Sequence, residues 1–303
     1  MAPLDTQQVT RSIDRSKELA VAPVYLAGET ERGEQRVITP LTEEYGWSRQ
    51  PIGGSDSVLD SPCRRVRIAH LPSHTQYAAA WIINVAQGPM ETPRWQAAFD
   101  HGTPPELVAA VTGRLAADFA GGGLAALYGR RHPHEAIGHL ERAGWDRSRD
   151  PGGTGRLLRL EELWDQDLLY TSPDNLAAVR RRAHVSSWEQ ELAQGPEAWE
   201  VSAGPEAGQD PAGRLWRATF TSATPTHLVA GLTAALADPG PVFRDGADLL
   251  PELEPLLVTT ANFTRPRPDQ AKAARTTTTA ASTAAPVPPT ARPSQNTRPS
   301  RTR

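Results

Sequence analysis

Cysteine, lysine and long apolar runs are nearly absent from this 303-residue sequence. The single cysteine, Cys63, excludes an intramolecular disulfide framework and a zinc site built from several thiolates. No run approaches the roughly 18 apolar residues of a membrane-spanning helix, and the N-terminus lacks the basic and apolar regions of a secretory signal. We therefore expect a cytoplasmic protein without membrane contact. Lys17 and Lys272 are the two lysines among 32 basic residues, which indicates a GC-rich genome.

Charge is distributed unevenly along the chain. Residues 264–303 contain eight basic residues and one acidic residue, so this tail carries +7 and residues 1–263 carry −10 of the net charge of −3. Thr, Ala, Pro and Arg dominate the tail, which therefore cannot bury enough apolar surface to offset its ordering entropy. We expect a disordered tail. It is either a solubilising linker or the one part of the chain able to attract nucleic acid.

Two stretches of the sequence repeat each other without a gap. Residues 95–117 and 216–238 are identical at 11 of 23 positions, with a constant offset of 121. Shorter matches upstream pair Trp81 with Trp199, Ser61-Pro62 with Ser172-Pro173, and Gly46-Trp47 with Gly144-Trp145. Six of the eight tryptophans fall into equivalent pairs, and Trp164 and Trp188 have no counterpart. The chain is therefore a duplication of a unit of about 90–110 residues.

Each unit has the pattern of a small α+β fold. Residues 65–70 alternate apolar and charged side chains, residues 81–85 form a continuous apolar run, and Trp95, Ala97 and Phe99 share one face of a third strand. The pattern predicts a short helix, about three antiparallel strands and a closing helix. Such a unit is marginal alone. We therefore predict that the two copies pack pseudo-symmetrically.

The closing helix of the first copy has a recognisable start. Thr103 is placed as an N-cap, with Glu106 three residues later, which together predict a capping box. An apolar stripe follows at intervals of about four residues, and the second copy keeps it. Its members are Leu107, Val108, Val111, Leu115 and Phe119 in the first copy, and Leu228, Val229, Leu232 and Leu236 in the second.

These patterns divide the chain into five segments. We predict a flexible N-terminus (1–22), a first copy (23–122), a second copy (123–246), a connecting segment (247–263) and the disordered tail (264–303).

The duplicated unit resembles a known family. The motif Ser172-Pro173-Asp174-Asn175 and its weaker counterpart Ser61-Pro62-Cys63-Arg64 are similar to the Ser-Pro-Asp-Tyr motif of actinobacterial SPDY-type domains, which commonly occur in tandem. Residues 24–28, Gly46-Trp47, Trp95 with Phe99, and Thr103-Pro104 are also similar to family positions. The resemblance covers residues 23–120 and, more loosely, 130–244. It implies a domain of unknown function, with no activity, cofactor or catalytic residue to carry over.

Residues that carry chemistry are few and scattered. His132, His134 and His139 form the one histidine cluster, and their spacing favours a solvated helix start over a metal site. The sequence has neither a Gly-x-Ser-x-Gly elbow nor a phosphate-binding Gly-Lys-Ser/Thr loop. We therefore assign no catalytic, cofactor-binding or metal-binding residue. Trp164 and Trp188 either cover the larger second copy or line a partner surface, because tryptophan is a frequent interface anchor.

Three functional hypotheses follow. The first is a non-catalytic protein-interaction module of two packed units, because its distinctive residues are structural aromatics and helix starts. The second is a nucleic-acid-associated protein that binds through its basic tail. The third, an enzyme with a site between the copies, requires a deep cleft with at least two convergent ionisable groups.

Overall fold

The computed structural model describes most of the chain up to Thr260. The described residues are 18–30, 32–74, 79–129, 132–147, 166–183, 185, 187–205 and 214–260. Their strands are β1 (Glu18–Ala22), β2 (Ser48–Gly53), β3 (Asp56–Asp60), β4 (Val66–His70), β5 (Ala79–Val85), β6 (Trp95–Asp100), β7 (Asp146–Arg147), β8 (Leu168–Thr171), β9 (Ala177–Arg181), β10 (Trp199–Ala203), β11 (Trp216–Phe220), β12 (Val242–Asp245) and β13 (Val258–Thr260). Their α-helices are α1 (Gly33–Thr39), α2 (Pro105–Ala120), α3 (Leu124–Tyr128), α4 (His134–Arg142), α5 (Trp188–Gln194) and α6 (Thr226–Leu236).

Ten strands form one antiparallel sheet that continues from the first copy into the second. Their order is β2-β3-β4-β5-β6-β11-β10-β9-β8-β7, so each copy supplies five adjacent strands. This is two strands more per copy than the sequence pattern indicated. The copies meet where β6 pairs with β11.

The pairing of β6 with β11 creates a local two-fold axis. Ala98 lies opposite Thr219, which is its own equivalent at the offset of 121, and the flanking pairs exchange partners in the same way. The closing helices α2 and α6 also pack against each other. The predicted α+β class with two pseudo-symmetric copies is therefore confirmed.

One hydrophobic core joins the sheet to the helices. The side of the sheet that carries Trp95, Ala97 and Phe99, here called the inner face, packs against the closing helices. The predicted stripes of α2 and α6 are buried apart from the partly buried Phe119. The six paired tryptophans are also buried, as expected for core residues: Trp47, Trp81, Trp95, Trp145, Trp199 and Trp216.

A short helical segment of each copy accepts a hydrogen bond from the central tryptophan of the other copy. The Trp95 indole N–H donates to the Ala126 carbonyl at 2.8 Å, and the Trp216 indole N–H donates to the Tyr25 carbonyl at 2.9 Å. Ala126 belongs to the second copy and Tyr25 to the first. A buried donor without an acceptor costs about 1–3 kcal/mol. These reciprocal bonds therefore make each core depend on the other copy.

The N-terminal segment is more structured than the sequence suggested. Strand β1 lies within the predicted flexible residues 1–22, yet it is the centre of a second sheet in the order β12-β1-β13. Leu19 and Val21 on this strand are buried. The prediction of flexibility is therefore wrong for residues 18–22. The partners of β1 lie near the other end of the described chain, where a local pattern cannot indicate them.

The predicted capping box at the start of α2 is also wrong. The helix begins at Pro105, close to the predicted start, but the Thr103 hydroxyl donates to the Asp100 carbonyl at 2.8 Å. The Glu106 carboxylate instead accepts two hydrogen bonds from the Arg244 guanidinium, at 2.6 and 2.9 Å. A buried guanidinium needs a counter-charge, and this need determines the position of Glu106.

The equivalent position in α6 also makes a polar contact between the copies. His227 Nε2 lies 2.6 Å from Asp118 Oδ2, near the end of α2. Thus the residue near the start of each closing helix contacts a residue near or beyond the end of the other. Glu106 with Arg244 is the more deeply buried of the two pairs.

Candidate functional site

The structure does not place the two tryptophans that the sequence singled out as a partner surface. Trp164 lies outside the described residues. Trp188 is the first residue of α5, and its side chain is also outside what is described. The basic tail, residues 264–303, likewise lies outside the described part of the chain. These expectations remain predictions.

The outer face of the sheet, opposite the inner face, differs between the copies. In the first copy one row of directly paired residues crosses four strands, from Val58 through Ala69 and Ile82 to Ala98. All four are apolar and partly exposed. We call this row the outer stripe. It places an apolar band on a face that a soluble protein otherwise keeps polar.

The second copy has a charged row at the same positions. Its equivalents are Leu169, Arg180, Glu200 and Thr219, which pair across the sheet in the same register. The Glu200 carboxylate forms an ion pair with Arg214 at 3.2 Å. The repeat thus preserves the inner face, keeps an apolar residue (Leu169) at one position of the outer stripe and replaces the other three by a base, an acid and a threonine.

A groove of about 640 Å³ lies beside the outer stripe in the first copy. Its polar lining includes the bidentate pair of Arg67 with Asp60, at 2.9 and 3.2 Å, and Asn84, which accepts a bond from Gln96 at 2.9 Å. The exposed Arg64 also lines this outer groove. In the second copy the equivalents of Arg64 and Arg67 are Asn175 and Ala178, so this basic character belongs to the first copy.

The Ser-Pro turn at the edge of this groove and its counterpart in the second copy have the same structural role. Ser61 Oγ accepts the Val66 N–H at 3.1 Å, and Ser172 Oγ accepts the equivalent Ala177 N–H at 2.9 Å. Each serine therefore closes the loop before a strand. Arg64 and Asn175 occupy equivalent positions with φ of 54° and 61°.

The third residue of the motif differs between the copies. Asp174 accepts a bond from Ser172 and another from the Tyr25 hydroxyl, the latter at 2.7 Å. Burial and the adjacent carboxylate raise the pKa of Tyr25 above its ordinary value. In the first copy Cys63 stands in place of the aspartate. Burial opposes ionisation of its thiol, but Ser61 and Arg65 hold the pKa of Cys63 below its usual range.

A second groove lies where the first copy meets the second copy and the connecting segment. Its polar end encloses about 520 Å³ and is lined by Glu29, Glu34, His70 and Asp248. Glu29 and Asp248 also line an adjoining apolar end of about 240 Å³ beside Trp216. We call the two ends together the junction groove.

The junction groove is lined by several ionisable groups, which is one of the two features that the enzyme hypothesis requires. His70 is 4% exposed and stacks on Trp81 with the ring centroids 3.9 Å apart. Burial lowers the pKa of His70 to about 4, so its imidazole is neutral at pH 7. Among the described residues, His70 Nδ1 has no hydrogen-bond partner, so no nucleophile–base pair is formed at this nitrogen.

The histidines that the sequence grouped do not converge in the described structure. His132 precedes α4, whereas His134 and His139 lie on it, along an open surface depression. The His139 ring lies 3.1 Å from the guanidinium of Arg142. Over the described residues there is no cluster of three or more histidine, cysteine, aspartate or glutamate side chains arranged to hold a metal ion. Within the same residues no helix is long and apolar enough to cross a membrane.

The comparisons with known proteins identify the duplicated unit. A family model named SPDY, a domain of unknown function (DUF317), matches residues 60–120 and 171–242. The two segments contain equivalent strands and the closing helix of each copy. The predicted tandem SPDY-type domains are therefore confirmed. No curated protein and no solved structure matches the chain.

Proposed function

We propose that this chain, which contains two SPDY-type domains in tandem, is a non-catalytic protein-interaction module. Its binding surface is the outer stripe of the first copy together with the adjoining outer groove. The observation that carries the proposal is the difference between the two outer faces, which is apolar with arginines in the first copy and a charged row in the second.

The internal duplication makes this difference informative. Both copies need the same inner face, because it forms the common core, and they retain the paired tryptophans there. The outer face is free of that requirement. An apolar band with polar groups beside it has the composition of a protein-interaction surface, whose centre excludes water and whose rim is hydrated.

The polar groups beside the stripe define the chemistry of the partner. Asp60 is already neutralised by Arg67, and Asn84 is engaged by Gln96. Arg65 donates to the Gly122 carbonyl and lies over an aromatic ring. Arg64 has no described side-chain partner and is exposed in the groove. We therefore assign as partner an extended protein segment with apolar residues for the stripe and a carboxylate for Arg64.

Site-resolved photocrosslinking in the native cell tests the proposal. Pro62 and Pro173 are exposed residues at equivalent positions of the two Ser-Pro turns, and Pro62 lines the outer groove. A benzoylphenylalanine replacing Pro62 is expected to yield one discrete crosslinked protein, whereas the same residue replacing Pro173 yields none. Equal capture from both positions, or capture from neither, contradicts the proposal.

A substitution taken from the second copy provides the specificity control. Ile82→Glu introduces into the outer stripe the residue that the second copy has at the equivalent position, Glu200, so the strand is expected to tolerate it. Binding an apolar partner against a carboxylate in the stripe costs free energy, because the buried charge loses its hydration. We expect Ile82→Glu to abolish the product from position 62, and Leu169→Glu in the second copy to leave it unchanged. Persistence of the product in Ile82→Glu excludes the stripe as the contact.

A further inference from the structure

The junction groove combines three carboxylates with an apolar end, and this combination is independent of the outer face. Glu29, Glu34 and Asp248 line it, and Arg49 partly neutralises Glu34 through contacts at 3.2 and 3.4 Å. The described lining residues of the groove thus carry a net negative charge. The apolar end lies against Trp216 and is bordered by Leu250 and Leu253, of which Leu250 is 49% exposed.

Two buried polar atoms at the groove lack hydrogen bonds among the described residues. His70 Nδ1 lies 3.3 Å from Glu34 Oε2, but the pair does not have the geometry of a hydrogen bond. Asp248 Oδ2 is also buried without a hydrogen-bond donor. Buried polar groups in native proteins are almost always paired, so these atoms indicate a missing partner. The imidazole stacks on Trp81 and lines the polar end of the groove.

We propose that the junction groove binds a small organic cation, with its ammonium or guanidinium group among Glu29, Glu34 and Asp248 and its apolar part at Leu250 and Leu253. An ammonium group donates three hydrogen bonds, which suits carboxylate oxygens and a neutral imidazole nitrogen. A metal ion is disfavoured because the described residues include no group of three or more histidine, cysteine, aspartate or glutamate side chains placed to hold one. An anion is disfavoured because three carboxylates would repel it.

Calorimetric titration of the full chain with matched probes tests this assignment. Phenethylamine carries the cation and an apolar ring, 2-phenylethanol is its neutral analogue, and 3-phenylpropionate is its anionic analogue. We expect phenethylamine to bind at millimolar or lower concentration and at least tenfold more tightly than either analogue. Equal affinity for the three probes, or no binding of phenethylamine, overturns the proposal.

Variants of two groove carboxylates and of one acidic residue outside the groove test the position of the cation. Asp248→Asn and Glu29→Gln remove groove carboxylates, and Glu29 is exposed, so its variant is not expected to affect folding. Asp245→Asn removes an exposed carboxylate on β12 that does not line the groove. We expect at least a tenfold loss of phenethylamine affinity in the first two variants and none in the third. If all three variants bind phenethylamine with the same affinity, the cation binds elsewhere and the proposal is overturned.

Discussion

Removal of the Glu106 carboxylate tests how the two copies are held together. The Arg244 guanidinium is 1% exposed and donates to both carboxylate oxygens, at 2.9 and 2.6 Å. In Glu106→Ala this buried cation loses its carboxylate partner. It keeps the carbonyl oxygens of Ala27, Gly28 and Phe243, which accept at 3.0, 3.2 and 2.8 Å.

The acceptors that remain for Arg244 determine the expected loss of unfolding free energy. Breaking a buried ion pair by removing one member costs about 3–5 kcal/mol, because an uncompensated charge stays in the interior. The three remaining carbonyl acceptors place the expected loss at the lower end, about 3 kcal/mol. Glu106→Gln, which keeps an acceptor but no charge, is expected to lose about 2 kcal/mol. At roughly 2–4 °C per kcal/mol, Glu106→Ala should lower Tm by about 6–12 °C.

Acid should remove the stabilisation that the Glu106 carboxylate contributes through Arg244. Burial alone raises the pKa of Glu106, but the hydrogen bonds and the charge of Arg244 lower it below its ordinary value. A lowered pKa stabilises the fold above the unfolded value, and that stability is lost as pH falls through the folded value. The difference in unfolding free energy between wild type and Glu106→Gln should therefore shrink in strong acid.

The contact between Asp118 and His227 supplies the control. Asp118→Ala removes the 2.6 Å contact to His227, but these side chains are 18% and 14% exposed, so water reaches them. The expected loss is about 1 kcal/mol. Urea unfolding, monitored by tryptophan fluorescence, measures all three variants. A loss below about 1 kcal/mol in Glu106→Ala, or one equal to that of Asp118→Ala, refutes the reasoning.

Three further predictions concern buried polar groups and one turn. Burial lowers the pKa of His70 to about 4 and raises the pKa of Asp100 to about 6. As pH falls towards 4, the unfolded chain binds a proton at His70 before the folded one does, which destabilises the fold. Over the same range the folded chain binds a proton at Asp100 first, which stabilises the fold. Asp100→Asn should therefore lose about 2 kcal/mol more than wild type in urea titrations between pH 6.5 and 4.5, and parallel curves would contradict this. Glu191 is 2% exposed and accepts the Ser222 N–H and hydroxyl, so Glu191→Ala should lose about 2–3 kcal/mol in unfolding free energy, and a neutral effect would assign the carboxylate no structural role. Gly123 has φ of 77°, so Gly123→Ala should lower stability by about 1–2 kcal/mol in thermal melts, and an unchanged Tm would show that the turn relaxes.

The inner face was predictable from the sequence because duplication repeats it. Trp95 and Trp216 occur in register with the apolar positions of their closing helices, and a periodic stripe of this kind is a local signal. The strand at the edge of the first copy was missed for the opposite reason. Strand β2 is exposed throughout and contains Pro51, so it has neither the apolar alternation nor the composition of a typical strand.

Contacts between distant segments could not be predicted from local patterns. Glu106 matches a capping box, but Arg244, its actual partner, is 138 residues away. The pairing of β1 with β12 is similarly remote. Tertiary partners override a local preference worth about 1 kcal/mol when they satisfy a buried charge.

The sequence did contain a signal for the outer stripe, namely aligned positions at which the two copies differ, but a search for shared residues ignores such positions. The alignment that pairs Trp81 with Trp199 also pairs Ile82 with Glu200, one residue later on the opposite face. Positions where two copies of one fold differ in character point to a surface with a separate role. The junction groove had no such signal, because its lining comes from segments far apart in the chain.

The proposed function requires the partner to bind to the first copy. This requirement is tested most directly by measuring the affinity of the crosslinked partner for two variants in which each copy receives the turn residue of the other. Arg64→Asn and Asn175→Arg exchange the two residues that occupy equivalent exposed turns with similar φ. Titration of the captured partner should show at least a tenfold weaker Kd for Arg64→Asn and an unchanged Kd for Asn175→Arg. An unchanged Kd in Arg64→Asn, or equal losses in both variants, would contradict the account.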